Sequence, residues 1–270
     1  MEWPRVKTLI ILILLLINGF LLALVGVQQH QVSRYQHSAL TQAVAVLERG
    51  GIAVDSTLLV AAPAPLTVQR ASDDAALAEA LLGPGLVHED QGGGLHRYAG
   101  PGGEAVFRSG GALSVHFSAA AAPDSDLEAH ARSLLEAMGL QGKLWETRQN
   151  ADTLSLTFHQ LWENTPIFSC PITLEYEGRQ LRSLQATLLL SSSQRAEGSA
   201  TLDLPTALIR FRAGILSSGD VCSSITAFRP GYRTNSTFGS SVALSPVWRI
   251  STNTAEYYLD ALTGALTRIT

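Results

Sequence analysis

Lysine is almost missing from this chain: Lys7 and Lys143 are the only two, so arginine carries the positive charge, a bias of composition rather than mechanism. No Lys/Arg cluster follows the N-terminal segment, and the net charge is -4 with a pI near 6.0, so the electrostatic footprint of a nucleic-acid binder is lacking. Cysteine is nearly as scarce. Cys170 and Cys222 are too few for a disulfide framework; they read as two small buried apolar residues, although an oxidising surrounding would permit them to pair. Also missing are a Gly-x-Ser-x-Gly elbow, a Ser-x-x-Lys pair, a Cys-His arrangement and any His-x3-His spacing. The seven histidines, His30, His37, His88, His96, His116, His130 and His159, are scattered. No metal, no cofactor and no catalytic residue is therefore expected.

One long uncharged run is present. Thr8 to Val27 reads TLIILILLLINGFLLALVGV, long enough to cross a bilayer core as a helix. Arg5 and Lys7 precede it and only Arg34 follows closely, a charge bias that keeps the N-terminus inside. A cleaved signal would have a shorter apolar region and a small-x-small site, which Ala23-Leu24-Val25 and Leu24-Val25-Gly26 fit poorly. The expectation is a single-pass protein of the cell membrane: cytoplasmic tail 1–7, transmembrane helix 8–27, and an extracytoplasmic body. Within the helix, Leu15, Asn18, Gly19, Leu22, Ala23 and Gly26 fall on one stripe at about 100° per residue. Small residues there would admit a partner helix and the Asn18 amide could bond it, or Asn18 could bond its own backbone and the small residues be incidental.

The hydrophobic content of 46% suits a folded core in the rest of the chain. Val32, Tyr35, Leu40, Val44 and Leu47 recur at helical intervals up to Gly50-Gly51, which predicts a stalk helix over 28–51 closed by a left-handed glycine cap. SDDAALAEALLG, with Ser72 as N-cap, reads as a short helix, and LVHED, LHRYAG, EAVFRSG and ALSVHFS, separated by glycine clusters, read as consecutive hairpins. A helix followed by strands recurs from Asp124 and again from Leu204, where Pro205 suits a first turn. The pattern predicts an α+β fold of three helix-plus-antiparallel-sheet units at 52–122, 123–195 and 196–270. Glu163, Glu175 and Glu177 read as a solvated face rather than an acid-base pair. Asn235-Ser236-Thr237 matches a sequon and reads as a polar loop.

The run MEWPRVKTLIILILLLINGFLLA, with Glu2-Trp3, Arg5, Lys7-Thr8, Asn18 and Phe20-Leu21-Leu22, resembles the start of YycI-type two-component regulatory proteins. The likeness continues through LERGGIAVDSTLL and returns at Glu163 to Phe168, at Pro246 to Ile250 and in YYLDALTGAL. It implies a non-enzymatic membrane-anchored regulator that contacts a WalK (YycG)-type sensor histidine kinase and a YycH-type single-span protein, largely through membrane helices. The resemblance supplies no catalytic residue. YYLDALTGAL also resembles the end of PepSY-like units, which implies the alternative of a PepSY-like inhibitor or chaperone of an envelope protease. Arg229-Pro230-Gly231-Tyr232-Arg233 could form its contact surface, but reads more economically as a turn.

The purified chain is expected to be catalytically silent. Assays against peptides, cell-wall fragments and esters check this; turnover lost on replacing one Ser, His or Glu would overturn it.

Overall fold

The computed structural model describes residues 14–20, 38–70, 73–121, 126–187, 190–195, 200–238 and 241–269. Its strands form one mixed 15-stranded sheet. After a helical segment over 14–20 come a helix over 38–49 (α1), β1 (Ala53–Val54), β2 (Leu66–Arg70) and α2 (Asp74–Leu82). A meander then runs through β3 (Val87–Asp90), β4 (Leu95–Gly100), β5 (Gly103–Arg108) and β6 (Leu113–Ala121). After α3 (Leu127–Ala137) come β7 (Gly142–Asn150), β8 (Thr153–Trp162), β9 (Thr165–Glu177), β10 (Gln180–Ala186) and β11 (Leu190–Arg195). The last elements are α4 (Leu204–Ser218), β12 (Ser224–Phe238), β13 (Ser241–Thr252), β14 (Glu256–Asp260) and β15 (Leu266–Ile269).

Local signals place the helix ends. Gly51 adopts φ 82° and the Ile52 amide bonds the Leu47 carbonyl at 3.0 Å, closing α1 as its glycines predict. Asp73, rather than Ser72, caps α2 by accepting from the Ala76 amide at 3.0 Å. Asp203 and Pro205 start α4, and Gly219 ends it in the left-handed region. The β8–β9 hairpin turns on Glu163 (φ 43°) and Asn164 (φ 66°), two positive φ values that match the twist of the flanking strands.

The expected α+β fold of repeated helix-plus-sheet units is overturned. The glycine-separated segments do pair in order as β3 to β6, but the strands of the three segments interleave. Strand β2 lies between β11 and β13, β6 pairs with β10, and β9 joins β12 in parallel at Ile167 and Tyr232. Small antiparallel sheets would leave unpaired N–H and C=O groups along each edge, whereas joining them edge to edge satisfies those groups.

The expected single-pass membrane topology is corrected as well. Among the described residues no helix is long and apolar enough to cross a membrane. Of the predicted span only 14–20 is described, as an exposed helical segment. The tail with Arg5 and Lys7, and residues 21–37 of the span and stalk, lie outside the described residues.

Two cores flank a seam. Helices α2 and α3 cover the β4–β10 region over Phe107, Val115, Phe158, Leu174 and Leu184. Helices α1 and α4 cover β12 to β14, with Leu47, Phe211, Ile215, Trp248 and Tyr257 between them. At the seam a smaller cluster joins Val68, Ile167, Cys170, Tyr232 and Leu244.

Leu47→Ala removes a fully buried side chain from α1 and is expected to cost about 2–5 kcal/mol. Leu216→Ala, on the exposed side of α4, should stay within about 0.5 kcal/mol of the parent. Urea midpoints at unchanged slope check both.

Candidate functional site

The face of β12 to β14 opposite α1 and α4 carries the strongest concentration of chemistry. Strand β7 slips register between Leu144 and Glu146, so Trp145 is the extra residue of a bulge. Its ring meets His159 of β8 edge-on at 5.0 Å and Phe168 of β9 at 5.6 Å. Two guanidinium groups stack on the same indole, Arg249 at 4.5 Å and Arg229 at 4.9 Å from its centre.

Arg229 and Arg249 are direct cross-strand partners, a like-charge pairing that destabilises a bare sheet. The indole offers both cations its negative face. Glu256 of β14 takes Arg249: Nε donates to Oε2 at 3.1 Å, Nη2 donates to the same oxygen, and the Ser251 hydroxyl donates to Oε1 at 2.7 Å. Burial would raise the Glu256 carboxyl, but the bonds from Arg249 and Ser251 outweigh it and hold the group below its ordinary value. Arg229 is exposed and makes no salt bridge among the described residues, although its charge also helps to lower Glu256. Two residues on, Gly231 lets the layers touch. A Cβ there would lie 2.4 Å from Phe168 Cε2 and 2.7 Å from the Pro166 carbonyl oxygen. Arg233 then lies 4.6 Å over Tyr258, whose ring also meets Phe168 at 5.7 Å.

His159 is buried beneath Trp145, hydrogen-bonded to the Ile167 backbone, and its Nδ1 has no partner. Burial first, and the Arg249 charge second, push its pKa down from 6.5 to about 4. It is thus neutral and enclosed, poorly placed to exchange protons with a substrate. Cys170 and Cys222 are free and buried in different clusters, and burial pushes the Cys170 thiol up to about 12. Among the described residues no group of three or more His, Cys, Asp or Glu converges as a metal site; His88 and His96 meet as a pair, Nε2 to Nδ1 at 3.4 Å.

The residues singled out by sequence do not assemble here. Leu15, Asn18 and Gly19 are exposed on the segment 14–20, while Leu22, Ala23 and Gly26 lie outside the described residues. Residues 229–233, read as a turn, run instead through the middle of β12, with both arginines on one face. Glu163, Glu175 and Glu177 are exposed, and Asn235 is an exposed strand residue. Sequence reasoning missed Trp145, His159, Phe168, Arg249, Glu256 and Tyr258. Only the Arg-x-Gly-x-Arg alternation of β12 signalled one strand face.

The unfolded His159 titrates near 6.5 and the folded one near 4, so its contribution is complete above 6.5 and is lost as the pH falls through that window. By pH 5 that loss amounts to about 2 kcal/mol. His159→Gln is expected to remove this share of the stability difference between pH 7.5 and 5, measured by urea unfolding; parallel curves would show that His159 is not held neutral.

No family model matches the chain, and no curated protein matches it. Solved structures do. An uncharacterized protein from Eubacterium rectale superposes with a TM-score of 0.51 at 10% identity, over 81% of this chain and 90% of that one. The Bacillus megaterium YpeB C-terminal domain gives 0.42 at 12% identity, over 75% of this chain and 99% of its own. The first is a likeness of fold alone; the second is too distant to carry an argument.

Proposed function

We propose that this chain is a non-enzymatic regulatory protein that works by binding other proteins, with a WalK (YycG)-type sensor histidine kinase and a YycH-type protein as its partners. The partners' identity rests on the resemblance of the N-terminal run and of the Glu163–Phe168, Pro246–Ile250 and YYLDALTGAL segments to YycI-type proteins. The binding reading is carried by one observation: the exposed Arg229 guanidinium lies over the Trp145 ring, 4.9 Å from its centre, and makes no salt bridge among the described residues. Arginine, tryptophan and tyrosine supply most of the energy of protein interfaces, and here they share one rigid sheet face. The neutral, enclosed His159 and the protonated Cys170 favour binding over catalysis. The exposed helical face of Leu15, Asn18 and Gly19 is a second candidate contact.

Co-purification of the tagged chain with the kinase and the YycH-type protein, at matched abundance, tests the reading. Arg229→Glu is expected to lower recovery at least tenfold, about 1.4 kcal/mol, and to change response-regulator output. Arg182→Glu, at an exposed position of β10, should leave both unchanged. Gly19→Ile probes the helical face separately. Wild-type recovery from both Arg229→Glu and Gly19→Ile would reject these two contact surfaces.

A further inference from the structure

At the β3 end of the sheet, two histidines of one hairpin meet. In the β3–β4 ladder His88 pairs with Tyr98 and Asp90 with His96; directly opposed side chains share a face, so all four stand on one side of the hairpin. Tyr98 is anchored from below, its ring meeting Phe107 of the core under α2 edge-on at 5.6 Å. His88 stacks on Tyr98 at 4.7 Å, and the His96 ring lies 5.5 Å from that of His88, 26° from parallel. Diagonal neighbours on a sheet are about 7–8 Å apart, so the two side chains lean toward each other across the ladder. Two ring nitrogens are thereby brought together, His88 Nε2 and His96 Nδ1 at 3.4 Å.

That separation is loose for a hydrogen bond from an N–H, which spans about 2.7–3.2 Å. It matches the edge of a tetrahedron of nitrogen ligands: metal–nitrogen bonds of about 2.0–2.1 Å place two imidazole nitrogens roughly 3.3–3.4 Å apart on one ion. Negative charge is close by. Burial raises the carboxyl of Asp74, in the first turn of α2, and against it His96 first, then Arg70 and His88, pull it down. Of the groups that act on Asp74, two are thus the histidines, Asp73 adds a second carboxylate, and Arg70 is the one guanidinium, with its Nη1 bonded to the Ser109 carbonyl. Asp90, across the ladder from His96, accepts the Gly92 amide on Oδ1 at 2.8 Å, which holds it on the same face. Imidazoles with carboxylates beside them suit Zn²⁺, Ni²⁺ or Cu²⁺, whereas Mg²⁺ and Ca²⁺ take oxygen ligands. Two side chains converge rather than three, so water completes the coordination; His88 is exposed and His96 half-buried, which gives an ion access from solvent.

We infer that His88 and His96 form a binding site for a divalent transition-metal ion, with Asp74 supplying compensating charge and water the remaining ligands. The site is separate from the Trp145 and Arg229 face and does not depend on what that face binds. A bound ion clamps β3, an edge strand whose one neighbour is β4, to that neighbour and draws it toward the start of α2. Zinc chloride and magnesium chloride are the probes, titrated against the full chain by equilibrium dialysis, with amide hydrogen exchange followed over residues 87–90. Zinc is expected to bind saturably, to lose about tenfold or more in affinity in both His88→Gln and His96→Gln, and about tenfold in Asp74→Asn. His116→Gln, which removes an exposed histidine of β6, should change nothing. Zinc should also slow exchange over β3 in the parent and not in His88→Gln, a local readout that zinc held by other histidines of the chain does not imitate. His88 is exposed on an edge strand, so His88→Gln should keep the parent's urea midpoint without metal, and this variant carries the test if His96→Gln fails to fold. Zinc affinity and β3 exchange that are the same in parent and His88→Gln overturn the site. Loss in one histidine variant and not in the other, both folded, overturns an ion shared by the pair. Displacement of zinc by an equal concentration of magnesium overturns the class of metal, and indifference to Asp74→Asn overturns the part given to that carboxylate.

Discussion

Everything on the functional face depends on how closely β9 approaches β12. The two strands share a single parallel bridge, Ile167 to Tyr232, too little ladder to hold two halves of a sheet by itself. Side chains supply the rest. Ile167 and Cys170 from one side meet Tyr232, Val242 and Leu244 from the other, and the Ser169 hydroxyl accepts the Thr234 amide at 2.8 Å. Gly231 sets the separation, since any side chain there would strike the Phe168 ring. The segment before β2 is tied across the same region: the Tyr232 hydroxyl donates to the Ala64 carbonyl at 3.0 Å and Trp248 Nε1 to that of Val60 at 2.8 Å.

That approach brings a bulged tryptophan from one side over an opposed arginine pair from the other. Neither half makes sense alone. Without Trp145 the Arg229 and Arg249 charges would face one another across a ladder, and without the arginines a half-buried indole would stand on an open sheet face. Glu256 hydrogen-bonds Arg249 and feels the charge of Arg229 as well, so the cluster combines an inner cation fixed by direct bonds with an exposed outer one. Burial of His159 underneath removes a third positive charge near neutral pH.

Local features were legible in the sequence because their causes are local. The Gly50-Gly51 cap, the start of α4 at Pro205 and the β3–β6 meander each follow from residues a few positions apart. Pairing partners were not legible. Nothing within LTVQR indicates that β2 lies between residues 190–195 and 241–244, and without that knowledge three separate units are the natural expectation. The site was hidden for the same reason, since Trp145, Arg229, Arg249 and Glu256 come from four strands. Reading 229–233 as a turn followed the Pro-Gly pair; in the structure Pro230 pairs with Trp248 within β12 and the glycine serves packing rather than chain reversal.

The position of β2 also orders events in time. Its partners lie more than a hundred residues downstream, and the Val60 carbonyl waits for Trp248. During synthesis the early meander can close by neighbouring hairpins as soon as it emerges, whereas β2 stays unpaired until β11 has been made and gains its second neighbour, β13, later still. Such a strand is exposed to intermolecular pairing for most of that interval. The completeness of the sheet, rather than the strength of any one hairpin, decides when the nascent chain becomes safe from its neighbours.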